Sequence, residues 1–155
     1  MYEVLAMLTH DEFQYLLKLE KEFTQPQVSL PLPGNRDAFD LINRPSDERF
    51  VLDVNRSGKI ELSKYSLQNR HQRTKLPLVR VDIDSPPHRN PDGTKVSRNH
   101  IHIYQADGTG DENRNLPWAY EISDILNTTN YDFMNIWDQF CAYCHIDSSN
   151  VQRVM

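Results

Sequence analysis

Two neighbouring segments hold most of the side chains able to do chemistry: Pro87-His88-Arg89-Asn90-Pro91-Asp92-Gly93 and Asn99-His100-Ile101-His102-Ile103-Tyr104. On a strand, the period of two puts His100, His102 and Tyr104 on one face and sends Ile101 and Ile103 to the other. Histidine titrates near neutral pH, so one neutral and one protonated ring can serve as base and acid. Cutting RNA through its 2′-hydroxyl needs such a pair, together with a cation near the developing negative charge. The expected catalytic set is His88, His100, His102, Tyr104 and Arg80, acting without a cofactor. Lys59, Lys64, Arg70, Arg73, Lys75 and Arg89 are the expected nucleic-acid-binding cations.

The same rings suit a second chemistry. Imidazoles at i and i+2 can share one metal ion, and His88 would complete a His₃ set with an open fourth position for zinc or another divalent metal. Asp82 and Asp84 precede the loop and could orient a histidine from outside the ligand set. The loop is stiff by composition, because Pro86, Pro87 and Pro91 each fix φ and Asn90-Pro91-Asp92-Gly93 has tight-turn chemistry.

Charge is unevenly distributed. The net charge is −5, yet residues 55–80 carry 7 Lys/Arg against 1 Asp/Glu. Residues 1–54 carry 5 against 10 and residues 115–155 carry 1 against 5. A basic segment beside the histidine strand is what a phosphate-binding patch would look like, so the acidic average does not exclude nucleic acid.

Other motifs carry less. Cys141-Ala142-Tyr143-Cys144-His145 has the C-x-x-C-H spacing of haem attachment. Its cysteines, however, fall on an apolar helical stripe with Phe133, Trp137 and Phe140 and at the helix C-terminal end, where the dipole disfavours a thiolate. Buried core thiols are expected. The run Asp107-Gly108-Thr109-Gly110-Asp111-Glu112 misses the order of a calcium loop and reads as a turn.

The elements that must position these residues follow from pattern. Thr9 and Glu12 form a capping box, and Phe13, Leu16 and Leu17 begin an apolar stripe that predicts an N-terminal helix. Three prolines and a glycine in TQPQVSLPLPGNRDAF predict an extended edge or loop. Strands are expected at residues 50–54, 59–65, 76–83, 100–104 and 118–122, with Arg70 and Arg73 in a turn. Residues 131–144 predict a C-terminal helix. The sum is one α+β domain over residues 1–155: a curved antiparallel sheet of about five strands with the N- and C-terminal helices packed on one face. No apolar run is long enough for a membrane helix and the opening residues lack signal-peptide features, so a cytoplasmic protein is expected.

The pattern V-R-V-D-I-x-S-P-P-H-x-N-P-D-G, then H-x-H-I-Y, then W-A-Y resembles a group of small uncharacterised proteins of bacteria, phages and mobile elements. It falls on residues 79–84, 87–93, 100–104 and 118–120, the middle third of the chain. The resemblance implies a phage or mobile-element setting in a host cell and no particular reaction. Within that setting the expected function is an effector acting on RNA by histidine acid/base cleavage. The alternatives are a His₃ metal-dependent enzyme and a non-enzymatic anti-defence (anti-CRISPR-like) inhibitor, whose acidic ends would bind a ribonucleoprotein nuclease complex.

Overall fold

A computed structural model of the chain describes residues 7–58, 63–106 and 114–153. Lys59, the first half of the expected 59–65 strand and the whole of the 107–112 run lie outside them.

Helix α1 (His10–Lys18) starts where the capping box puts it: the Thr9 hydroxyl accepts from the Glu12 amide, and the Glu12 carboxylate accepts from the Thr9 amide. The main sheet is open, with eight strands in the order β10-β9-β6-β5-β4-β3-β1-β11. These are β1 (Lys21–Phe23), β3 (Arg36–Asn43), β4 (Glu48–Asn55), β5 (Tyr65–His71), β6 (Pro77–Ile83), β9 (His100–Ile103), β10 (Ala119–Glu121) and β11 (Ile146–Asp147). All neighbours are antiparallel except β1 and β11. Two small ribbons flank it: β2 (Val28–Ser29) beside β12 (Val151–Gln152), and the hairpin of β7 (His88–Arg89) and β8 (Lys95–Val96).

The sheet therefore has eight strands rather than about five. β1 and β11 are three and two residues long, too short to show a period. β3 lies just after a proline-rich stretch, and only its second half is buried. Arg70 is a strand residue, with the hairpin turn falling at residues 72–75, where Lys75 takes a left-handed φ of 62°.

One face of the sheet is apolar. Cross-strand partners share a face, and Leu67 opposite Val81, then Val81 opposite Ile101, carry a buried row across β5, β6 and β9. Helix α3 (Phe133–Tyr143) covers this row: Phe133 meets Tyr65 edge-on, and Trp137 stacks near Phe23. Helix α1 gives Phe13, Leu16 and Leu17 to the same core, and a single turn of helix, α2 (Ile122–Ile125), follows β10. Cys141 and Cys144 are buried there, and burial pushes the Cys144 thiol up to about 12. Among the described residues no helix is long and apolar enough to cross a membrane.

Candidate functional site

The opposite face of the sheet carries the chemistry. Register pairs Asp82 with His100 and Arg80 with His102, so four polar side chains of β6 and β9 form one patch facing away from the core. Three of them converge on a single atom: Asp82 Oδ2 lies 3.4 Å from His100 Nε2, 3.0 Å from His102 Nε2 and 3.2 Å from Arg80 Nε. Both imidazoles are 2% exposed.

The rigid loop buries them. Asn90, Pro91, Asp92 and Gly93 form the turn between β7 and β8, closed by the Gly93 amide on the Asn90 carbonyl, with Gly93 at φ 91°. Asn90 then clamps this hairpin to the sheet edge, donating to the Ala119 carbonyl and accepting from the Ala119 amide. The fold thereby brings His88 over the cluster, its ring centroid 4.7 Å from that of His102 and 5.8 Å from that of His100.

Each ring is held by a backbone carbonyl. His100 Nδ1 is 2.7 Å from the Ser97 oxygen, His102 Nδ1 2.7 Å from the Leu116 oxygen, and His88 Nε2 2.7 Å from the Pro117 oxygen. A carbonyl oxygen only accepts, so those nitrogens carry the protons. Leu116 holds its carbonyl in place at a left-handed φ of 47°, a conformation costing a leucine about 1–2 kcal/mol and sustained by full burial of its side chain.

Electrostatics keep the carboxyl ionised. Burial alone would raise the Asp82 carboxyl, but a proton or other cation shared with Nε2 of His100 and His102, together with the Arg80 guanidinium, outweighs it and holds Asp82 well below the usual carboxylate range. His102 shifts down, chiefly because burial penalises the charged ring and despite the pull of Asp82.

Asp82 also lines a cleft of about 560 Å³ together with Lys64, Ser66, Asp84, Ser85 and Arg98. The space is large enough for a nucleotide-sized ligand. The buried cluster thus borders a solvent-facing cavity through one carboxylate.

The expected site residues divide sharply. His88, His100, His102 and Arg80 lie together, and Asp82, expected to act only from outside the ligand set, supplies the oxygen on which His100, His102 and Arg80 converge. Tyr104 does not join them. Its hydroxyl accepts from the Leu8 amide and donates to the Leu8 carbonyl, and its ring stacks on Phe13 in the core. This corrects its place among the catalytic groups: the residue after β9 is spent on anchoring the chain ahead of α1.

The expected basic patch is not contiguous. Arg70 is paired with Asp53 at 2.7 Å and Arg73 with Glu48 at 3.1 Å, while Lys75 is exposed at the hairpin turn. Arg89 is exposed on the β7–β8 hairpin and donates to the Gly93 carbonyl. Among the described residues, only Lys64 of the expected cations lines the cleft, joined there by Arg98, which sequence reasoning missed and whose guanidinium donates to the Asp84 carbonyl. The one available signal for Asp82 was its alternation with Arg80 in V-R-V-D-I.

A family model described as "Family of unknown function (DUF6978)" matches residues 8–146, and the chain belongs to that family. No curated protein and no solved structure matches it.

Proposed function

We propose that this protein is an enzyme acting on RNA, with the Asp82, His100 and His102 cluster as its reaction centre and the adjoining cleft as its substrate site. The observation that carries this is the convergence of two buried, carbonyl-anchored imidazoles on one carboxylate oxygen that also lines a cleft. Burying such groups costs several kcal/mol, of order 2 to 7 for each polar group left unpaired. Clusters kept at that cost beside a cavity are where reactive chemistry concentrates.

The cluster acts as a unit. His100 and His102 each commit Nδ1 to a carbonyl and turn Nε2 to Asp82, so they reach the cleft through that carboxylate. Lys64 and Arg98 at the cleft supply positive charge for a phosphodiester. The phage or mobile-element setting in a host cell comes from the family-like pattern over residues 79–120.

The test is incubation of the purified protein with total RNA and with single-stranded oligoribonucleotides, with and without chelator. Wild type is expected to cleave, and His100→Ala and His102→Ala to lose at least 100-fold in rate. Absence of cleavage by wild type in every condition overturns the assignment.

A further inference from the structure

We infer that Asp82, His100 and His102 are the ligands of a mononuclear divalent-metal site, the ion being a first-row dication of borderline softness such as Zn²⁺. This names the cofactor of the reaction centre proposed above, but it stands on the ligand atoms and not on the RNA substrate.

The tautomers make the first argument. With the protons of His100 and His102 on Nδ1, each neutral ring turns its Nε2 lone pair toward Asp82 Oδ2. Two nitrogen lone pairs thus confront a carboxyl oxygen, all three atoms lying within 4.8 Å of one another. Such a trio repels itself unless cations stand between its members. Supplying two protons instead would crowd two imidazoliums and Arg80 around a single carboxylate at a place where both rings are buried. One dication relieves both confrontations at once.

Distances make the second. Ligand atoms about 2.1 Å from one ion stand about 3.0 Å apart at a right angle and about 3.4 Å apart at the tetrahedral angle. The two nitrogen-to-oxygen separations here are 3.0 and 3.4 Å, while the two nitrogens, within 4.8 Å of each other, must draw to no more than about 4.2 Å to share one ion.

The surroundings make the third. Metal-bound imidazoles characteristically donate their other N–H to a carbonyl or carboxylate, and ligating carboxylates are themselves hydrogen-bonded. Ser97, Leu116 and Arg80 fill those roles.

Two imidazoles and one carboxylate suit zinc and its transition-metal neighbours better than calcium or magnesium, which prefer oxygen alone. Three protein ligands leave a coordination position open, as catalytic sites require. The expected His₃ set is replaced, because the ligand atoms that gather are those of Asp82, His100 and His102, with His88 outside the group.

The test strips the protein with a chelator and titrates Zn²⁺ by calorimetry and thermal unfolding, with Mg²⁺ and Ca²⁺ as comparators. One zinc per chain, a micromolar or tighter Kd and a melting shift of several degrees are expected at saturation. Asp82→Asn and His102→Gln should lose all three effects, whereas His88→Ala should keep them. No stoichiometric zinc, or zinc binding that survives both ligand substitutions, overturns the site.

Should those variants fail to fold, wild-type imidazole nitrogen NMR decides. Zinc should shift Nε2 of His100 and His102 while Nδ1 stays protonated; unshifted rings overturn the proposal. Zinc binding without RNA cleavage removes the substrate assignment and leaves the metal site standing. Cleavage without zinc binding does the reverse.

Discussion

Two histidine, carboxylate and arginine clusters sit on this sheet, and they end up chemically opposite. At the β4–β5 end, His71 lies between Glu48, which also takes Arg73, and the hydroxyl of Thr74. At the β6–β9 end, His100 and His102 lie between Asp82, which also takes Arg80, and two backbone carbonyls. Burial is similar: the His71 and His102 side chains are 0% and 3% exposed, Glu48 and Asp82 19% and 17%. The deciding difference is the group on Nδ1. A hydroxyl can donate, so a neutral His71 accepts from Thr74 and donates Nε2–H to Glu48, which satisfies every atom. A carbonyl can only accept, so neutral His100 and His102 are left facing a carboxylate with lone pairs. The first cluster is complete as it stands; the second calls for a cation.

The largest effect expected from this contrast is a response to zinc. At a thousand-fold excess over Kd, a ligand that binds only the folded state adds about 4 kcal/mol. Wild type and Glu48→Gln should show that gain in denaturant unfolding, and Asp82→Asn should show none. An equal response in all three would erase the distinction.

Next comes carboxylate removal from the metal-free protein. Glu48→Ala leaves the buried His71 N–H without an acceptor and should cost about 1–3 kcal/mol. Asp82→Asn replaces a lone-pair confrontation with an amide donor and should stay within about 1 kcal/mol of wild type, since one net hydrogen bond is worth that much. Urea midpoints at constant m-value decide which is the more costly.

Acid should expose the Glu48 cluster. Burial tends to raise the Glu48 carboxyl, yet hydrogen bonds from His71 and Arg73 hold it below its ordinary 4.5. A carboxyl depressed in the folded state contributes stability above its unfolded value and loses it as pH falls through the folded one. Stability should therefore fall below about pH 4.5, with a smaller loss in Glu48→Gln over the same range; identical pH profiles would refute the pairing.

Arginine truncation should have the smallest effect. Arg73 is 73% exposed and its removal should change stability by less than about 0.5 kcal/mol. Arg80, 28% exposed against Asp82, should matter more, and a larger loss from Arg73→Ala would invert the comparison.

Much of the local structure was legible in the sequence. The capping box at Thr9 and Glu12, the stripe of α3 and the alternation that separates Arg80 and Asp82 from Val79, Val81 and Ile83 all depend on neighbours a few residues apart. β1, β11 and the first half of β3 were hidden because their partners in the sheet, more than their own composition, make them strands. The basic count over residues 55–80 misled for a similar reason: Arg70 and Arg73 are neutralised by Asp53 and Glu48, acids from another strand.

What the sequence determined by itself was the content of the site: a pair of histidines one residue apart, an alternating strand ahead of them, and a stiff Asn90-Pro91-Asp92-Gly93 turn between. Tertiary structure decided the roles. The β6–β9 register set Asp82 opposite His100, Leu116 and Ser97 chose the tautomers from distant or looped backbone, and Leu8 claimed the hydroxyl of Tyr104 from 96 residues away. Period-two alternation is a property of one strand, whereas the proton on a ring nitrogen is set by whichever acceptor the folded chain brings to it.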